Sequence, residues 1–271
     1  MRGILGVVVL VITFLLASCG GYQRVLKSSD LSYKERMGRK YYDKGQYAKA
    51  MPIFDELLTL YRGSPRSEEI YYLFAKTHFG MNDYILAGYH FKNFIRTFPN
   101  SRFEEESYYM VGYCYYLEAP EYSLDQSYTY KAINELQLFV NTHPQSKYVE
   151  NANQLMRELR QRLEIKAYKV AMQYYHMEQY QSASVAFDNL LNDFPDTQYR
   201  EEVMYYHLDA AYRLARNSVE EKKTQRYREA KTSYDLLTEI FPDSQYRKQA
   251  ERIKESIDTY FQSLSISNKA S

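Results

Sequence analysis

The sequence predicts an all-α chain, an α-solenoid of five antiparallel helix pairs. Three observations predict it. Glycine and proline are scarce, at 10 and 7 of 271 residues, below the usual ~7% and ~5%. One apolar spacing of helical period recurs five times, and a proline closes four of the five copies. A β-sandwich or barrel needs many tight turns, and this chain lacks the residues to make them. A doubly wound α/β fold needs Gly-rich strand-to-helix loops, which are also absent. The charge is nearly balanced, with 35 basic and 34 acidic residues. Balance of that kind supplies no general electrostatic reason to bind nucleic acid or an acidic membrane.

Met1-Arg2-Gly3 is a short positive leader, followed by thirteen mostly apolar residues from Ile4 to Leu16. A spanning helix needs about 20 apolar residues, so this stretch has the shape of a secretory hydrophobic region. Leu16-Ala17-Ser18-Cys19 comes next, then Gly20-Gly21. The tetrapeptide resembles the bacterial lipobox. That implies a signal peptide over 1–18, cleavage before Cys19, and covalent lipid on Cys19, with no other cofactor expected. An ordinary signal peptide with a chance cysteine is the plainer alternative. Residues 19–30 then read as a lipidated tether. With no acidic residue at Gly20-Gly21, the expected address is the outer membrane, facing the periplasm. Cys114 is left alone in a tyrosine-rich run, so no disulfide framework exists. It reads as a small core residue.

The recurring ruler is an alanine, an aromatic or Leu four residues on, an apolar residue at seven, another at eight in four copies (Thr238 in the fifth), and an aromatic or His at eleven. Its copies are Ala50, Phe54, Leu57, Leu58, Tyr61; Ala87, Phe91, Phe94, Ile95, Phe98; and Ala132, Leu136, Phe139, Val140, His143. The last two are Ala183, Phe187, Leu190, Leu191, Phe194 and Ala230, Tyr234, Leu237, Thr238, Phe241. These offsets form one face of a helix of 3.6 residues per turn. Proline follows at Pro99, Pro144, Pro195 and Pro242, and ends the helix. A tyrosine stands three residues before the alanine at Tyr47, Tyr84, Tyr180 and Tyr227. Twelve residues before it sits Gly38, Ala75 or Ala171 in three copies, a small residue that lets a partner helix come close. This is the pattern of the tetratricopeptide repeat. After each proline, Ser101, Ser146, Thr197 and Ser244 are placed to cap the next helix, and Ser101 with Glu104 spells a capping box.

The departures locate the insertions. Pro65 to Pro99 spans 34 residues, but the next spacings are 45, 51 and 47. Leu117 to Tyr128, with Pro120, reads as a loop. Lys147 to Leu163 lacks Gly and Pro and carries Leu155, Met156, Leu159 and Leu163, so it reads as an added helix. Asn217 to Arg226 is charged and reads as a solvated loop or frayed end. The expected organisation is therefore repeats 1–3 over 31–145, a long linking helix with repeats 4–5 over 146–262, and a disordered tail over 263–271.

Catalytic chemistry is missing. His78, His90, His143, His176 and His207 have no zinc-site spacing. There is no G-x-S-x-G motif and no Walker loop. Glu104-Glu105-Glu106 sits where negative charge favours a helix N-terminus. No metal site and no active site are expected; the chain reads as a non-enzyme.

The phrase Phe-Pro-x-Ser/Thr-x-Tyr/Phe stands at Phe98 to Phe103, Phe194 to Tyr199 and Phe241 to Tyr246. His143 replaces its Phe in the third repeat. With the lipobox and five repeats, residues 16 to 260 resemble the BamD (YfiO) family of outer-membrane assembly lipoproteins. The resemblance implies a component of the β-barrel assembly machinery, a partner in the POTRA domains of the barrel-forming subunit BamA, and unfolded outer-membrane proteins as substrates. Two other classes compete. A tetratricopeptide adaptor of the division or Tol–Pal system shares the phrase but has fewer repeats and often a coiled-coil head. A SusD-type glycan-binding lipoprotein is longer and usually carries Trp platforms, whereas this chain has 31 tyrosines and no Trp.

In a tetratricopeptide solenoid the first helix of each pair lines the concave face. Offsets from Gly38, Ala75 and Gly112 place Arg39, Tyr42, Lys76, Phe79, Tyr113 and Tyr116 outward, with Glu35, Tyr72 and Tyr109 one turn earlier. These residues make a candidate substrate groove. An aromatic C-terminus would stack there while Lys76 or Arg39 pairs its carboxylate. The alternative is that the tyrosines only pack between helices.

Overall fold

A computed structural model describes residues 21–270 of the chain; the lipobox and Cys19 lie outside them. A helical turn at 21–26 (α1) precedes Leu31–Asp43 (α2), Tyr47–Leu60 (α3), Arg66–Gly80 (α4) and Tyr84–Thr97 (α5). Then come Glu104–Glu118 (α6), Ser127–Thr142 (α7), Val149–His176 (α8), Tyr180–Asp193 (α9), Arg200–Arg216 (α10), Glu220–Ile240 (α11) and Arg247–Ala270 (α12). No strand occurs among the described residues. The five rulers fall on α3, α5, α7, α9 and α11, the second helix of each pair. Their alanines Ala50, Ala87, Ala132, Ala183 and Ala230 are all completely buried.

The chain divides into two compact units between Leu159 and Arg160. In the first, each of α2 to α6 packs on the next in sequence. Phe54, Leu57 and Ile53 fill its first core with Ile70 and Phe74. Phe91, Phe94, Leu136 and Phe139 fill its second with Tyr72, Tyr109 and Cys114. Each fully buried Phe or Leu contributes about 1.5–3 kcal/mol. Gly112 is required by one close approach: a Cβ there would lie 2.7 Å from Leu136 Cδ2 and 3.0 Å from the Leu136 backbone nitrogen. In the second unit α10 packs on α9, α11 and α12, around Leu208, Ala215, Ala230, Leu237 and Ile257.

In three of the pairs a left-handed residue turns the first helix into the second. Gly45 (φ 67°), Asn82 (φ 60°) and Glu178 (φ 58°) occupy equivalent places, two residues before Tyr47, Tyr84 and Tyr180. Glycine takes that conformation freely; Glu178 does so under strain.

Several expectations are corrected. The described part of the tether packs on the first unit: residues 21–26 are helical, Val25 is fully buried, and the Tyr22 hydroxyl donates to the Lys49 carbonyl at 3.2 Å. An apolar residue flanked by aromatic surface finds the α2–α3 face. The charged stretch 217–226 is mostly helix, because α11 begins at Glu220. The tail from 263 continues α12 to Ala270 instead of being disordered. The division also falls at 159/160, not at 145/146. Ala152, Leu155 and Leu159, on the first half of α8, belong to the core of the first unit. The inserted loop is residues 119–126, between α6 and α7.

Candidate functional site

The Ser/Thr of the repeated phrase does not cap its helix. For α6 the N-cap is Phe103, which makes no side-chain cap bond, so the predicted capping box is absent. Ser101 Oγ instead accepts the Phe103 N–H at 3.0 Å and donates to Glu68 Oε1 at 2.6 Å. The arrangement repeats four times. Ser146 accepts from Tyr148 and donates to Glu105; Thr197 accepts from Tyr199 and donates to Glu164; Ser244 accepts from Tyr246 and donates to Glu201. Four residues after each of these glutamates stands a tyrosine, Tyr72, Tyr109, Tyr168 or Tyr205. The aromatic of the phrase stacks on it. The centroids are 4.2 Å apart for Tyr72–Phe103, 4.7 Å for Tyr109–Tyr148, 4.3 Å for Tyr168–Tyr199 and 4.4 Å for Tyr205–Tyr246, with interplanar angles of 15° or less. Glu-x-x-x-Tyr on one first helix thus grips Ser/Thr-x-Tyr/Phe ahead of the next. The glutamate half of this clamp was missed in the sequence because its partner lies 33 to 43 residues away.

The clamp fixes the first-helix face of the first unit, which carries the candidate groove. Tyr72 and Tyr109 are buried at 8% exposure, so of the candidate groove these two pack between helices. Tyr109 continues a ladder of near-parallel rings to Tyr113 at 5.7 Å and from there to Tyr116 at 6.0 Å. Phe79 leans on Tyr113 at 5.9 Å. Phe79, Tyr113 and Tyr116 remain partly exposed. The Tyr109 hydroxyl donates to Asn151 Oδ1, and that of Tyr116 to Glu158 Oε2 at 2.6 Å. The groove residues are therefore both packing and surface.

Both cations have internal partners. Arg39 donates to Glu35 and Glu69, at 2.9 and 2.8 Å. Its guanidinium is held above its ordinary pKa despite burial, by hydrogen bonds to Glu69 and Glu35. Lys76 Nζ lies 2.9 Å from Glu106 Oε1. Burial opposes ionisation of Glu106, but hydrogen bonds from Tyr72 and Lys76 overcome it and hold the carboxyl below its usual range. Burial and then the Glu106 hydrogen bond push the Tyr72 hydroxyl up. Burial, followed by Tyr47 and Glu106, pushes Tyr42 up to about 12. Glu106, read in sequence as helix-terminal decoration, is thus the carboxylate at the centre of Tyr42, Tyr72 and Lys76.

His78 and His90, unrelated by any motif, stack at 4.9 Å, with His78 Nδ1 3.3 Å from Asp83. Burial and then His78 lower His90 to about 4. Cys114 is fully buried, and burial pushes its thiol up to about 12, so it is inert as a nucleophile. Among the described residues no three His, Cys, Asp or Glu side chains group as metal ligands. No described helix is long and apolar enough to cross a membrane.

Comparison with known proteins assigns the chain. The family model described as "YfiO: Outer membrane lipoprotein" matches residues 29–225. The chain belongs to this family. The YfiO match covers four of the helix pairs, α10 of the fifth and the start of α11. A curated relative from Aquifex aeolicus (strain VF5), "Putative outer membrane protein assembly factor BamD", is 24% identical over 173 residues. That is 63% of this chain and 56% of the relative, so the chain spans little more than half of that relative's length. Among solved structures, the TPR2AB domain of yeast Sti1 in its pHSP90 complex is 12% identical, covering 85% of this chain and 99% of that one, with a TM-score of 0.40. A Podosopora anserina structure of nearly identical TPR-like repeats is 13% identical, covering 79% and 96%, with a TM-score of 0.34. The fold assignment itself rests on the helix pairs described above.

Proposed function

We propose that this YfiO-family chain is a lipid-anchored, non-enzymatic part of the outer-membrane β-barrel assembly machinery. In this reading Cys19 carries the lipid, the protein faces the periplasm, and it joins the POTRA domains of BamA. The first-helix face of the first unit receives the C-terminal segment of unfolded outer-membrane proteins. Family membership carries the proposal, and the name of the Aquifex relative supports it. The partly exposed ring ladder Phe79, Tyr113 and Tyr116 supports the groove by offering stacking area to an aromatic terminus. A substrate carboxylate would reach Lys76 by competing with Glu106, or Arg39 by competing with Glu35 and Glu69.

Affinity capture of the native protein from detergent extracts should recover a POTRA-bearing barrel protein; recovery of Tol–Pal components alone would overturn the assignment. Cys19→Ala should accumulate as unlipidated precursor, and a mature membrane-bound variant would remove the anchor. For the groove, Phe79→Ala and Tyr113→Ala, each shown to retain its helix content, should weaken binding of a peptide ending in Phe. Amidating that peptide should weaken it too. Unchanged affinity in all of these would dismiss the groove.

A further inference from the structure

The nearly balanced charge of the whole chain conceals an uneven distribution. Between residues 21 and 50 lie eight basic and three acidic residues, which leaves 26 basic and 31 acidic residues beyond. Arg36 and Lys40 on α2 and Lys44 at its C-cap follow one another at four-residue intervals and are exposed. That spacing sets them in one stripe, on the side away from buried Lys34 and Gly38. α1 adds exposed Arg24 and Lys27 on either side of buried Val25. α1 is held against α2 by the edge contact of Tyr22 with Tyr41 at 5.6 Å. None of these five cations forms an ion pair among the described residues, whereas Lys34, Arg39 and Lys76 all do. The nearby carboxylates are Asp43, exposed; Asp30, which accepts the Tyr33 N–H; and Glu35, which holds Arg39.

We infer that the α1–α2 face of the first unit docks on an anionic lipid surface. The occupant follows from position. The described part of α1 starts at residue 21, two residues after Cys19 in the sequence, and two residues span no more than about 7 Å, inside the Debye length of about 8 Å. Arg24 and Lys27 on α1 would then meet headgroups first, the Tyr22–Tyr41 contact sets the α2 face beside them, and a basic patch beside a lipid chain is a two-signal anchor. The inference rests on the lipid anchor proposed above for its geometry, but it is tested without the lipid.

The test uses the leaderless, unlipidated chain from Gly20 onward, which contains every described helix. It is mixed with vesicles of phosphatidylcholine alone or with about 30% phosphatidylglycerol, and sedimented. The chain should bind the anionic vesicles, lose binding in high salt, and ignore the neutral ones. Replacing Arg36, Lys40 and Lys44 together by Glu should weaken binding at least about tenfold. Replacing Lys231, Lys248 and Arg252 by Glu, an equal change of net charge, should not. Circular dichroism must show unchanged helix content in both variants. No preference for anionic vesicles, or equal loss in the two triple variants, overturns the inference. Failure of the anchor reading shows separately, as a mature protein whose mass carries no lipid.

Discussion

The clamp between consecutive first helices makes a quantitative prediction at Ser101 and Glu68. Ser101→Ala removes the hydroxyl that donates to Glu68 at 2.6 Å and releases the Phe103 N–H it accepts. A hydrogen bond to a charged group contributes about 1.5–3 kcal/mol when dry. Glu68 is only half-buried, so water replaces part of the bond and the expected loss is about 1 kcal/mol. Phe103→Ala removes a ring stacked 4.2 Å from Tyr72. The stack contributes about 0.5–1.5 kcal/mol beyond area, and the half-buried ring about 1 kcal/mol more, for a total near 2 kcal/mol.

The decisive measurement is a double-mutant cycle, Ser101→Ala against Glu68→Gln. Two units need not unfold in one transition, so stability is best read from amide exchange in α4 and α6. A coupling of about 0.5–1 kcal/mol is expected. Ser244→Ala with Glu201→Gln should behave alike in α10 and α12, since Glu201 accepts from Ser244. Strictly additive losses at both places would refute the clamp and leave the phrase as turn chemistry alone.

Three further outcomes are expected. Gly112→Ala should destabilise the first unit by about 1–3 kcal/mol, because its Cβ would press on Leu136 side chain and backbone alike; wild-type exchange in α6 and α7 would contradict the close approach. Glu178→Gly should raise the stability of the second unit by up to about 1 kcal/mol by relieving a left-handed non-glycine residue, seen as a higher midpoint in urea. His90, lowered to about 4 by burial and His78, stabilises the fold fully above its ordinary pKa of 6.5, and that stabilisation is lost as pH falls toward 4. The ring is only partly buried, so about 1 kcal/mol is expected after screening. His90→Phe should remove that part of the acid slope in a comparison of unfolding at pH 7 and pH 4.5, and an unchanged slope would refute it.

What was legible in the sequence was whatever repeats at short range. The ruler on α3, α5, α7, α9 and α11 could be read because its buried residues lie within eleven positions on one helix face. Cys114 could be assigned to the core because nothing polar accompanies it. Illegible were partners a whole repeat apart. Glu106 looked like a helix-terminal charge, and only folding brings Tyr72 and Lys76 onto it. Whether Tyr72 and Tyr109 line the groove or pack between helices was open for the same reason: only folding stacks Phe103 and Tyr148 of the next pair upon them.

The clamp also explains where the long helix gained its length. Glu68, Glu105 and Glu201 stand at the third or second residue of α4, α6 and α10, whereas Glu164 stands at the sixteenth of α8. The repeat proper therefore begins near Arg162, and Val149 to Arg160 is an N-terminal addition. That addition has its own apolar face in Ala152, Leu155 and Leu159, buried with Tyr109 and Phe139. Its polar residues serve the groove: Asn151 and Glu158 accept from Tyr109 and Tyr116. One inserted segment thus closes the core behind the ring ladder and fixes two of its hydroxyls. Asn151→Ala and Glu158→Ala should then loosen Tyr109 and Tyr116 without unfolding α8, whose other contacts remain. The readout is ring-flip rates by NMR, and unchanged rates in both variants would mean that stacking alone orders the ladder.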